Sequence, residues 1–238
     1  MEGHERQCVE RRLAMSPVAT ELHCRNIFRE PPAKRWLDGF DAVIIGGSGR
    51  FSVQDERSTA WLGGLRHLLD AILTRELPGF GICFGHQLLG LHFGASVQTH
   101  PALSEAGTVG VHLTASGRQD ALFSQLPQIF SVHTGHSDSV MNVPAGLTAL
   151  ACNSRLATQA FAVDGGCFYS TQFHPDVTGQ EAQNRYAAYE AGLDALLEEP
   201  NRRSRVQFDA TRDDTEPMLS IFLSQAATPD SAILKHSA

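Results

Sequence analysis

A cysteine sits between two glycines at residues 81–85, Gly-Ile-Cys-Phe-Gly, after a short apolar run and before a helical one. The order G-x-nucleophile-x-G is that of a nucleophile elbow. A sharp strand-to-helix turn strains the backbone at the nucleophile, and the flanking glycines relieve the crowding. The Cys83 side chain would then project above the carboxyl ends of the strands, where open α/β sheets build their sites. The following helix would aim its positive end at the sulfur and favour the thiolate. The Phe84 N–H would point at a developing oxyanion. Taken alone, the motif suits a buried packing cysteine equally well. A metal ligand fits less well, because no second cysteine lies nearby.

A thiolate nucleophile needs a base. "YSTQFHPD" at 169–176 offers His174 after an apolar run, with Asp176 two residues on. In an extended segment these two side chains share one side, so one face could carry an imidazole and the carboxylate that orients it. Pro175 would keep the dipeptide extended. By itself His-Pro-Asp also reads as a turn. A third element is "IIGGSG" at 44–49. Gly46 and Gly47 after a buried strand let backbone N–H groups come close to a ligand and complete an oxyanion hole with Phe84. A dinucleotide loop fits poorly, because Ser52 stands where its third glycine belongs. His133 with His136, or His86 with His92, could be a metal pair, but polar packing roles suit them better, and no metal is expected.

These residues need a scaffold. "FDAVIIG" at 40–46 and "FGIC" at 80–83 read as short strands buried on both faces. Between them, Trp61, Leu62, Leu65, Leu68, Leu69, Ile72 and Leu73 recur at helical spacing over 58–76, and 84–93 reads as another helix. Strand, helix, strand, helix predicts an α/β fold with an open, mainly parallel twisted sheet flanked by helices. Residues 108–113 alternate as a half-exposed strand. Further strands are expected at 128–133, 147–152, 157–163 and 166–173, with a hairpin at Val163-Asp-Gly-Gly166, which makes a small antiparallel extension. Helices follow at 180–199 and 215–226. The start is unusual: 4–14 looks helical, and the first plausible strand is 20–28.

The chain of 238 residues, 42% hydrophobic and 19% charged, has the composition of a soluble globular protein. We expect one domain over 1–227 and a frayed tail over 228–238. A formal charge of −7 with only one short basic cluster, "NRRSR" at 201–205, argues against nucleic acid as a partner. No apolar run is long enough to span a membrane, and the polar first residues are no secretory signal. Five cysteines without a CxxC pair read as reduced thiols, hence a cytoplasmic protein.

Together "VIIGGS", "GICFGHQ", "HTGHSDSV…P" and "QFHPD" resemble the class I, triad-type glutamine amidotransferases, in the family's own order. The stand-alone branch similar to the glutaminase part of GMP synthase fits best. The resemblance runs from about residue 40 to 178, with a weaker echo in "MLSIFL" at 218–223. It implies a flavodoxin-like amidotransferase fold, glutamine as substrate and no cofactor. It also implies that Cys83 attacks the side-chain amide, that His174 is the base and Asp176 its orienter. Gly47 and Phe84 would serve the oxyanion. Gln87 would contact the substrate, and Gly135-His136-Ser137 would hold its amino-acid end through backbone groups. One departure stands out: the family usually has Glu where this chain has Asp176. No S-G-G-x-D-S pyrophosphatase loop is present, so the ammonia would go to a separate synthetase. Two other readings stay open: a γ-glutamyl hydrolase or peptidase acting on glutathione-like compounds, and a catalytically silent regulatory homologue.

Overall fold

The computed structural model describes residues 2–27, 29–49, 51–55, 59–197 and 206–227. The basic cluster at 201–205, the end of the helix expected at 180–199, and the tail from 228 lie outside them. The chain opens with α1 (Glu2–Leu13). The strand expected at 20–28 does not form: residues 20–26 carry no regular structure. His23, Cys24 and Arg25 face solvent, while Leu22 and Ile27 pack on two different cores. The segment therefore lacks the continuous apolar face that rewards strand pairing.

The buried apolar runs become β1 (Val43–Ile45) and β2 (Gly79–Ile82), joined by α2 (Thr59–Thr74). Then come α3 (Phe84–His92), β3 (Val97–Thr99), β4 (Glu105–Leu113), β5 (Ile129–His136) and β6 (Asp138–Val140). The chain continues through β7 (Leu147–Cys152), β8 (Ala160–Val163) and β9 (Phe168–Thr171) to α4 (Gly179–Leu197) and α5 (Met218–Ala226). Seven strands form one sheet in the order β1-β2-β9-β8-β7-β4-β5, and β3 pairs with β6 in a small antiparallel sheet. The α/β architecture flanked by helices is as expected, and its parallel part is the segment β1-β2-β9. The remaining pairs are antiparallel. The physical reason lies in the connections. A parallel neighbour needs a long crossover such as α2, whereas β8 and β9 are joined by a tight turn with Gly165 at φ +65°.

Each face of the sheet carries a core. Phe80 and Ile82 of β2 pack with Leu13 of α1 and with Met218, Leu219 and Phe222 of α5. On the other face, Trp61, Leu65, Leu69 and Ile72 of α2 meet Phe84, Leu88 and Leu89 of α3 and Phe161 and Phe168 of the sheet. Burial on both sides explains the unbroken apolar run of β2, whereas β1, expected to be buried on both faces, is a half-buried edge strand because only β2 pairs with it. Among the described residues, no helix is long and apolar enough to cross a membrane.

Candidate active site

The carboxyl ends of β1, β2 and β9 lie side by side, with β2 in the middle. Each end carries one candidate element: the glycine turn after Ile45, Cys83 after Ile82, and His174 shortly after Thr171. Cys83 has φ 51° and ψ −91°. A non-glycine residue there is strained by roughly 1–3 kcal/mol, so its surroundings must hold it. Its N–H donates to the Thr171 carbonyl at 2.7 Å, and its own carbonyl accepts the Gln87 N–H at 3.0 Å. The glycines of the motif are needed for packing. A Cβ at Gly85 would lie 2.3 Å from the Ile45 carbonyl oxygen, and one at Gly81 would lie 2.8 Å from the Gly85 backbone. Close contact between α3 and the two strands thus fixes the elbow, and α3 starts at Phe84, where first-turn N–H groups have no carbonyl partner within the helix.

His174 comes from the segment after β9, where its N–H donates to the His133 carbonyl at 2.9 Å. A Cβ at Gly47 would stand 2.8 Å from His174 Cε1, 3.6 Å from Nε2 and 3.7 Å from Cys83 Cβ. Imidazole, nucleophile and glycine turn therefore meet within the width of one side chain. Gly46, beside it, is exposed, and a Cβ there would touch nothing. On the far side of the ring, Nδ1 lies 3.0 Å from Asp176 Oδ1. The shorter acid thus reaches the imidazole.

Burial opposes charge on His174, but the Asp176 carboxylate and then Cys83 outweigh it, and the imidazole is held well above its ordinary range. Burial likewise opposes charge on Asp176, yet His174 and Arg185 bring it well below the usual carboxylate range. Arg185, on α4, belongs to none of the sequence motifs. Its two terminal nitrogens donate to Asp176 Oδ2, each at 3.1 Å.

Gln172 lies within the His-Pro-Asp segment, where the sequence assigns it no role. It is buried, and its amide donates to Cys83 Sγ at 3.5 Å. Gln87 is buried as well and donates to Gln172 Oε1 at 3.4 Å and to the Asp138 carbonyl at 3.0 Å. His136 Nδ1 meets the same carbonyl at 3.0 Å, and its Nε2 lies 3.4 Å from Glu105. Glu105 is buried too, but the nearby His136 ring and hydrogen bonds from Asn153 and Gln159 more than offset the burial and hold its carboxyl below the usual range. A chain of amides therefore ties the nucleophile to the 135–138 segment. Within that segment Gly135 belongs to β5 and pairs with Ala106, and the Ser137 carbonyl accepts the Ser104 hydroxyl. Both residues are exposed, whereas the His136 ring is buried, so only backbone or small groups of this segment face outward.

His86 packs in the core. His86 Nε2–H donates to the Thr158 carbonyl at 2.9 Å, Nδ1 pairs with Ser170 Oγ at 2.9 Å, and the ring stacks on Phe161. Burial pushes it down to about 3. The acid segment is also braced from outside. Arg11 of α1 donates to the Asp176 carbonyl at 3.3 Å, and Arg12 donates to the Val177 carbonyl at 2.8 Å. Thr178 and Glu181 form a capping box at the start of α4, with the Glu181 carboxylate accepting the Thr178 N–H at 2.7 Å.

Comparison with known proteins places the chain in a family. A glutamine-hydrolyzing GMP synthase subunit from Thermoplasma acidophilum is 32% identical over 143 residues, 59% of this chain and 66% of that protein. The glutamine-hydrolyzing GMP synthase of Bacillus pumilus is 30% identical over 178 residues, 75% of this chain but only 32% of the relative. The chain thus spans just under two thirds of the first relative and about a third of the second. A solved glutamine amidotransferase from Thermotoga maritima superposes with a TM-score of 0.62 at 24% identity, over 80% of this chain and 79% of that one. At that identity the likeness is one of fold. The family model described as glutamine amidotransferase class-I matches residues 7–191, well over half of the sequence, and the chain belongs to that family.

Proposed function

We propose that this chain hydrolyses the side-chain amide of glutamine and hands the ammonia to a separate synthetase. The observation that carries the reading is the meeting of Cys83, His174 and Gly47 at three adjacent strand ends. An imidazolium beside the sulfur stabilises negative charge there. The Cys83 thiolate attacks the amide carbon, and the oxyanion takes N–H groups from Gly47 and Phe84. His174 gives its proton to the departing nitrogen, which leaves as ammonia, and a glutamyl thioester remains. Water then adds to the thioester while His174 takes its proton, and glutamate leaves. Asp176 keeps the imidazole oriented throughout. Gln87 and the 135–137 segment border the substrate's amino-acid end. The relatives are GMP synthases, in one case a glutamine-hydrolyzing subunit of one, which suggests that the ammonia acceptor is a separate synthetase polypeptide. No disulfide forms among the described residues, which suits a reducing cytoplasm.

The Asp176–His174 contact supports an active site rather than a silent homologue. Cys83→Ala and Cys83→Ser are expected to abolish ammonia release while the chain stays folded. Release at the wild-type rate in either variant would refute the assigned nucleophile. Steady-state assays with glutamine and γ-glutamyl peptides separate the two substrate classes. Equal or higher kcat/KM for the peptides would favour the γ-glutamyl hydrolase reading.

A further inference from the structure

Asp176 has two carboxylate oxygens, and only one faces the imidazole. Oδ1 lies 3.0 Å from His174 Nδ1, while Oδ2 accepts both terminal nitrogens of Arg185. Nη1 of Arg185 also stands 3.3 Å from His174 Nδ1. A guanidinium has donors only. When Nδ1 carries its proton toward Asp176, the arginine cannot bond to that nitrogen, so both donors converge on one carboxylate. The arginine side chain is 17% exposed and the acid 5%.

A buried cation is costly unless it is paired, and here the two terminal nitrogens are paired while the buried Nε has no hydrogen-bond partner among the described residues. Asp176 takes two hydrogen bonds, and Glu5 and Cys8 of α1 lie near enough to favour the charge on Arg185. The carboxylate torsion of an aspartate is soft and roughly two-fold. Left alone, the group would swing between orientations and present either oxygen, or neither, to the ring. A two-pronged grip on Oδ2 removes that freedom and leaves Oδ1 aimed at the imidazole.

We infer that Arg185 is a positioning residue of this site, fixing the Asp176 carboxylate so that it in turn orients His174 toward Cys83. The activity arm of the test rests on the glutaminase reading, whereas the thiol arm does not. In the full chain, Arg185→Gln should lower kcat for ammonia release by about 10²-fold, the loss that a misplacement of about 1 Å brings. KM for glutamine should stay within roughly threefold, because Arg185 touches the acid and not the substrate pocket. Alkylation of Cys83 by iodoacetamide at pH 7, followed on its own peptide by mass spectrometry, should slow by about tenfold, since an ill-oriented imidazole supports the thiolate less well. Arg185→Lys keeps the charge without the planar fork and should recover part of both losses. If Arg185→Gln does not fold, Arg185→Lys carries the test through the same split between kcat and KM. The thiol arm decides: a folded variant that alkylates Cys83 at the wild-type rate overturns the inference. Should the wild-type chain release no ammonia from glutamine, the glutaminase reading fails. Slowed alkylation in Arg185→Gln would then still support the positioning role.

Discussion

At residue scale, the shorter acid is the informative feature. Aspartate reaches His174 Nδ1 at 3.0 Å without help from a longer stem; the contact is made across a turn at Pro175 and Asp176, not along the extended segment that the spacing suggests. Asp176→Asn should keep the shape and lose the charge. We expect kcat for glutamine to fall by about 10³- to 10⁴-fold, as for other triad carboxylates, with the fold intact by circular dichroism. Asp176→Glu adds a methylene in a site where the acid is buried and gripped by Arg185. It should not raise kcat, and a gain would mean that the native acid is held too far away. Cys83, His174 and Asp176 are legible in the sequence because each announces itself locally, by an elbow or by an i, i+2 pair. Arg185 and Gln172 are not. Arg185 looks like one more polar residue of an exposed helix. Its meaning depends on α4 passing back beside the acid, which no local pattern encodes. Gln172 stands in plain view next to Phe173, but only the pairing of β2 with β9 brings it to the sulfur.

At the scale of elements, the site depends on how closely α3 approaches the strands. Gly85 packs where any Cβ would strike the Ile45 carbonyl, which is backbone and cannot swing away. Gly85→Ala should therefore cost about 1–3 kcal/mol in denaturant unfolding, the usual range for overpacking. It should also lower ammonia release more than the loss of folded protein explains, because β1 leads into Gly47 and α3 carries Phe84. A variant as stable and as active as wild type would show that the helix can tilt freely. The runs that form β1 and β2 are readable as short apolar stretches, and α2 as apolar residues at helical spacing. The segment at 20–28 misleads because scattered apolar residues in an irregular strap resemble a weak strand. The helical start is legible, but not its use. Arg11 and Arg12 lie in a polar helix, yet Arg12 is wholly buried and both reach the backbone of the acid segment. Buried arginine gives no hydrophobic signal, so the docking of α1 stays hidden.

At the scale of the whole molecule, the histidines set how the fold answers acid. His86 is buried against Phe161 with no counter-charge, and burial lowers it to about 3. Burial also lowers His92 and His133. The unfolded chain protonates His86 near pH 6.5 and the folded chain does not until about 3, so His86 removes about 1.4 kcal/mol of stability per pH unit below 6.5, and His92 and His133 act in the same direction. His174 adds nothing to this slope: its folded value is raised, so it is protonated in both states below pH 6.5, and its contribution is lost only at higher pH. Asp176, Glu105 and Glu181 are lowered, so their stabilisation is present above the unfolded carboxylate range and goes only as pH falls below about 4.5. Glu5, raised by burial, works weakly the other way at the bottom of the window. Between pH 6.5 and about 4.5 the buried histidines therefore dominate. Urea unfolding should show stability falling with pH across this window. His86→Gln, which keeps an amide donor and acceptor in place, should flatten that slope by about one proton's worth. A wild-type curve flat from pH 7 to 5 would mean that the fold takes up these protons as readily as the open chain. The helix carrying His86 begins at the elbow, so the unfolding that its protonation favours also dismantles the support beneath Cys83. Acid loss of ammonia release should accordingly track unfolding and reverse with it.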